Sequence, residues 1–150
     1  MKKILLLFAV LSAIFILSCD SGNGGTEDTI ILQSTGAGSV KTPSMRDIDM
    51  GAGGGSRSVA EIMKVLRQRT PSLRHIYNKS LNKKEFEGTV KMKFTIAPGG
   101  DIISISTISS NTGFSEFDSE IKNAVSRWTF NKVKSGNTTV TIPFKFYINN

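Results

Sequence analysis

The sequence predicts an α+β domain in which a three-stranded antiparallel sheet of strand order 2-1-3 packs its helices on one face. A strand-turn-strand pattern occupies Gly88–Ser110, and amphipathic helical patterns lie on both sides of it. An apolar alternation at Thr138–Ile148 then completes the order α-β-β-α-β. A hairpin makes the first two strands antiparallel, and a helix returns the chain before the last one.

The chain begins with a basic region, Met1–Lys3, followed by the apolar run Ile4–Leu17. This run is shorter than the about 20 residues that span a bilayer, and the arrangement is typical of a signal peptide. We therefore expect residues 1–18 to be a signal peptide. Cys19 is the single cysteine of the chain and has no partner for an intramolecular disulfide.

Ile16–Cys19 resembles the bacterial lipobox, which implies that Cys19 carries a covalent lipid and becomes the mature N-terminus. The alternative is an ordinary signal peptide followed by a chance cysteine. With a lipid on Cys19, the expected location is the cell envelope, facing the periplasm. Asp20 directly after the cysteine resembles the signal by which enteric bacteria retain lipoproteins at the inner membrane. The inner membrane is therefore slightly favoured, and the outer membrane is the alternative location. We expect no cofactor besides this lipid.

Residues 19–56 are predicted to comprise Cys19 and a flexible tether, because they are rich in glycine and carry no hydrophobic period. Residues 57–150 form the predicted domain. From residue 56 onward the chain holds fifteen Lys and Arg against seven Asp and Glu, a net charge of +8. A basic domain in the envelope favours anionic headgroups, wall polymers or an acidic protein as partners, and nucleic acid is not expected.

The first helix is predicted to begin at Ser58, which forms a capping box with Glu61. An apolar stripe follows at helical spacing and is interrupted by Pro71. Either Thr70 caps a second helix with Pro71 at its first position, or a single helix is kinked there. The polar side of this region is strongly basic, and we call it the basic face: Arg67, Arg69, Arg74, Lys79, Lys83 and Lys84.

The hairpin prediction depends on the alternation of Val90, Met92, Phe94 and Ile96 with polar residues. Pro98–Asp101 supplies the turn.

A second helix is predicted over Glu116–Trp128, with Ser115 as its N-cap and with Trp128 buried. The last strand contains Pro143, which cannot donate to a ladder. We therefore expect Thr138–Ile148 to be a sheet edge.

The sequence contains no nucleophile–base pair, metal-ligand cluster or convincing carboxylate pair. His75 is the single histidine, and we expect it on the helix surface or partly packed. These observations predict that the protein is not an enzyme and holds no metal.

Several of these motifs, in this order, resemble the TonB C-terminal domain superfamily, and the resemblance covers about residues 57–148. They are Gly88-x-Val-x-x-x-Phe-x-Ile96, the Pro-Gly-Gly-Asp turn, Ser109-Ser110, Arg127-Trp128-x-Phe130 and Ile142-Pro143-Phe144-x-Phe146. Leu73-Arg74-x-Ile-Tyr77-x-x-x-Leu81 is most similar to the AgmX/PglI C-terminal type, whose members are associated with gliding motility.

The resemblance implies an α-β-β-α-β fold and an interaction module whose last strand receives an extended peptide. Carried onto this sequence, the docking residues are Thr139, Val140, Thr141, Ile142, Pro143 and Phe144. The leading hypothesis is therefore a lipid-anchored envelope protein that binds a partner protein by strand addition. The alternative is binding of anionic wall polymer or lipid headgroups at the basic face. A homodimer through exposed strands is also open.

Overall fold

The computed structural model describes residues 37–52 and 55–149, so the predicted signal peptide, Cys19 and most of the tether lie outside the described residues. A single 3-10 turn, Met45–Asp47, lies between the first two strands. The elements in chain order are β1 Gly38–Lys41, β2 Asp49–Met50, α1 Val59–Leu81, β3 Gly88–Ile96, β4 Ile102–Ser110, α2 Ser115–Ser126 and β5 Thr138–Ile148.

The three predicted strands are present and lie in the predicted relative order, with β3 between β4 and β5 and antiparallel to both. The sheet nevertheless has five strands rather than three. β1 and β2 pair with β5 on the side away from β3. Both strands come from residues that were predicted to belong to the tether. β1 has four residues and β2 has two, which is too few to show an alternation of apolar and polar residues.

The prediction that Thr138–Ile148 is a sheet edge is wrong, because β1 and β2 cover its outer side. We call residues 37–52, which carry these two strands, the N-terminal strap. The strap pairs with Lys145–Ile148 through β1 and with Val140–Thr141 through β2, leaving residues 142–144 unpaired between them. Pro143 lies in this gap. Its missing N–H therefore costs no ladder bond, and an internal strand tolerates the proline.

The open alternative at Thr70-Pro71 resolves to one continuous helix of 23 residues with Pro71 inside it. The predicted capping box is present: the Ser58 hydroxyl accepts a bond from the Glu61 N–H, and the Glu61 carboxylate accepts one from the Ser58 N–H. Thr70 is buried and donates its hydroxyl to the carbonyl of Leu66 at 2.7 Å. None of the helices in the described residues is long and apolar enough to cross a membrane.

The core lies between the two helices and the inward face of the sheet, where alternate residues of β3 and β5 are fully buried. Tyr77 of α1 is at its centre, with its ring against Phe86, Phe117 and Phe146. Its hydroxyl donates to the carbonyl of Phe86 at 2.5 Å. Burial raises the pKa of Tyr77 to about 12, so the phenol stays neutral within the core.

The second helix begins at Ser115, so the prediction of Ser115 as its N-cap is wrong and Phe114 takes that position. The helix ends at Ser126, two residues before the predicted end. Trp128 is buried, as predicted. The turn also forms as predicted: Gly100 has φ +104, and its N–H donates to the carbonyl of Ala97. Buried Arg57 donates to the carbonyls of Ala97 and Asn131 and joins the turn to the segment after α2.

Candidate functional site

The predicted docking residues Thr139–Phe144 lie toward the start of β5. The backbone groups of successive residues point to opposite sides of the strand. The Gly51 N–H donates to the Thr139 carbonyl at 2.9 Å, so the odd-numbered residues of β5 direct their backbone groups toward the strap. The even-numbered residues direct their backbone groups toward β3, and their side chains point into the core. Thr139, Thr141 and Pro143 are therefore the docking residues whose backbone groups an added strand can reach.

The strap is anchored to the domain at two points outside its ladder. Gly38 is buried, its N–H donates to the side-chain carbonyl of Asn78 at 2.7 Å, and a methyl group there would lie 2.5 Å from Cδ1 of Tyr77. Ile48 packs its side chain into the core, and only 7% of the residue is exposed to solvent. The strap therefore belongs to the packed domain.

One pairing within the strap is unfavourable, because Lys41 lies directly opposite Lys145. Like charges at such positions destabilise a strand pair. The Asp47 carboxylate in the same strap accepts bonds from the Ser44 hydroxyl and N–H. These bonds, with a smaller contribution from Lys41, hold the pKa of Asp47 below its usual value. The strap thus combines firm side-chain anchors with short and partly repulsive strand pairing.

All six residues of the basic face are exposed, and two of them are used in helix packing. Lys83 forms an ion pair with Glu116 at 2.5 Å, and this hydrogen bond raises the pKa of Lys83. Lys84 donates to the carbonyl of Gly113. Arg67, Arg69, Arg74 and Lys79 form no ion pair within the described part of the chain. The basic face is thus divided between structural lysines and available cations.

The other outer strand of the sheet is β4, which pairs with β3 alone among the described strands. The sequence predicts no role for this strand. Its register with β3 skips one residue at each of two β-bulges, and the extra residues are Ile103 and Ile108. They are 59% and 52% exposed. The alternation in Ile102–Ser110 could not reveal these exposures, because a bulge shifts side chains out of the strand period.

No group of three or more potential metal ligands occurs among residues 37–52 and 55–149. His75 is exposed on α1. Cys19, the predicted lipidation site, lies outside the described residues.

Comparison with known proteins gives a consistent result for the second half of the chain. Residues 75–148 match the family model described as the Gram-negative bacterial TonB protein C-terminal. The matched segment is thus similar to the C-terminal domain of TonB proteins. It is 36% identical over 63 residues to TonB of Klebsiella pneumoniae, an alignment that covers 42% of this chain and 25% of that protein. The chain thus matches about a quarter of the length of this relative.

The solution structure of the TonB C-terminal domain of Helicobacter pylori is also similar, with a TM-score of 0.46 and 22% identity. That alignment covers 63% of this chain and 87% of the other. The TonB-like segment contains β3, β4, α2 and β5, and with them the predicted docking residues Thr139–Phe144. The strap, Arg67, Arg69 and Arg74 precede it.

Proposed function

We propose that this protein is a non-enzymatic, lipid-anchored module of the cell envelope that binds an extended segment of a partner protein along the outer side of β5. In this proposal Cys19 carries the lipid, and the domain faces the periplasm at the inner or the outer membrane. The TonB-like segment supports a protein partner. A link to envelope transport rests on the TonB resemblance, and a link to gliding machinery rests on the AgmX/PglI resemblance.

The observation that carries the proposal is that the outer side of β5 already pairs with extended chain. Two separate pieces of the strap occupy it, and residues 142–144 remain unpaired between them. A partner strand with continuous pairing would make more backbone hydrogen bonds than the strap does. In this proposal the partner replaces the strap at Thr139–Phe144. Displacing the strap from β5 then costs free energy, and binding of the partner must supply it.

Photo-crosslinking in cells tests this proposal in the full chain. A reactive residue at Thr139 should give a discrete protein adduct. Thr141→Pro should abolish the adduct, because it removes an N–H on the outer side of β5. Thr141→Ala keeps that N–H and is the matched control, so it should retain the adduct. Equal adducts from both variants would contradict docking by strand addition.

Gly38→Ala is expected to raise the yield of the Thr139 adduct, whereas Thr141→Pro is expected to lower it. The added methyl group collides with Tyr77, so the strap should detach and the adduct yield should rise severalfold. Hydrogen exchange should show faster exchange for the β1 amides and unchanged exchange in β3. If the strap is released and the adduct does not increase, the strap does not occlude the docking site.

The basic face supports a second candidate function, because four of its residues are exposed and form no ion pair within the described residues. Here the ligand is an anionic wall polymer or lipid headgroup. A crosslinker at Lys79 would then give heterogeneous adducts, and binding would weaken steeply with salt. A discrete adduct from Thr139 together with no adduct from Lys79 would exclude a polymer or headgroup bound across Lys79.

A further inference from the structure

A polar groove lies between α1 and the strap, away from the proposed docking residues. Its cavity is about 250 Å³, and it is open to solvent on one side. Arg67, Pro71 and Arg74 line it from α1, Ser39 and Thr42 from the strap, and Tyr147 from β5. No carboxylate is among its lining residues. The charged side chains among its lining residues are therefore both arginines.

The two arginines are placed to act together. They are seven residues apart on one continuous helix, which is about two turns and about 10 Å along the axis. Both side chains therefore lie on the same side of α1, and both line the same groove. Neither forms an ion pair within the described residues, so both guanidinium groups can donate to a ligand.

The hydroxyl-bearing residues of the lining differ in what their hydroxyl groups can donate. Ser39 accepts a bond from the Asn149 side-chain amide at 2.7 Å, which leaves its own hydroxyl proton available. Thr42 lines the groove from the strap, whereas strand alternation directs the side chains of Ser39 and its pair partner Tyr147 to the other face of the sheet. Thr70, by contrast, donates its hydroxyl proton to Leu66. Two guanidinium groups on one side of a helix suit an oxyanion that accepts several hydrogen bonds.

We propose that the groove between α1 and the strap binds a phosphate group through Arg67 and Arg74. A free phosphate and a lipid phosphodiester share this chemistry. Because one wall of the groove is the strap, a bound phosphate contacts both sides and holds the strap closed. If the proposed function is correct, phosphate and the partner segment therefore oppose each other's binding. The binding of phosphate itself does not depend on that function.

The test uses the full chain in nonionic detergent, with inorganic phosphate as the first probe. Wild type and Arg69→Gln should bind phosphate alike, because Arg69 lies on the same helix but does not line the groove. Arg67→Gln/Arg74→Gln should weaken binding by at least about tenfold. Arg67→Lys/Arg74→Lys keeps both charges and should bind with intermediate affinity. Phosphate should also slow hydrogen exchange of the β1 amides in wild type.

Vesicles of phosphatidylglycerol, compared with phosphatidylcholine, identify the source of the phosphate. Binding to phosphatidylglycerol that requires both arginines, without binding of inorganic phosphate, supports the site and assigns it to a lipid headgroup. Binding that is unchanged in the double glutamine variant, or equally weakened by Arg69→Gln, overturns the proposal, as does the absence of binding to both probes. These outcomes are independent of crosslinking at Thr139, so failure of one proposal leaves the other standing.

Discussion

The three strands β4, β3 and β5 form a unit with two outer sides, one on β5 and one on β4, and these are protected in different ways. β5 has its outer side covered by the strap, which contributes six residue pairs and a buried Ile48. β4 pairs with no described strand on its outer side and carries two bulges instead, each with an exposed isoleucine. Covering and bulging are both known means of blocking edge-to-edge association. The outer side of β5 becomes available when the strap is displaced. The outer side of β4 cannot pair regularly with an added strand, because its two bulges interrupt the register.

The largest expected effect distinguishes the two sides of β5 itself. Ile142→Pro removes a ladder bond to β3 and a core side chain, so we expect a loss of at least about 4 kcal/mol in the free energy of unfolding. Thr141→Pro removes only a bond to the strap and should cost about 1 kcal/mol. Urea unfolding measures both. Ile142→Ala separates the side-chain loss from the backbone loss, and equal costs for the two prolines would contradict the assigned orientation.

A smaller effect is expected where the strap is weakest. Lys145→Glu turns the like-charged pair with Lys41 into an oppositely charged one and should stabilise the strap by about 0.2–1 kcal/mol. Lys145→Gln removes the repulsion without adding attraction and should give a smaller gain. The gain from Glu should shrink at high salt because salt screens exposed charges. Slower hydrogen exchange in β1 is the readout, and a gain insensitive to salt would exclude an electrostatic origin.

The smallest effect is expected at β4. Ile103→Lys/Ile108→Lys should change the free energy of unfolding by less than about 0.5 kcal/mol, since both side chains are mostly exposed. Crosslinking from Thr139 should also be unchanged, because the proposed docking lies on the other side of the sheet. A loss of the Thr139 adduct in this variant would place part of the partner on β4 and erase the proposed difference between the two sides.

Local pattern was sufficient for the elements that are long and regular. The alternation of Val90–Ile96 and the spacing of the apolar residues in α1 and α2 each repeat several times. The sequence pattern alone therefore predicts which face of each element is buried. The turn at Gly100 and the cap at Ser58 depend on neighbouring residues alone. Burial of Trp128 followed from its place at the end of an apolar helical stripe.

The strap and the final form of the docking site depended on contacts between distant residues. β1 and β2 have too few residues for a period, and they are strands because β5 offers unpaired backbone groups and because Gly38 fits against Tyr77, 39 positions along the chain. Pro143 led to the wrong prediction of a sheet edge. Only the tertiary structure showed that this position is a gap between two short strands, since a missing N–H does not report what lies opposite it.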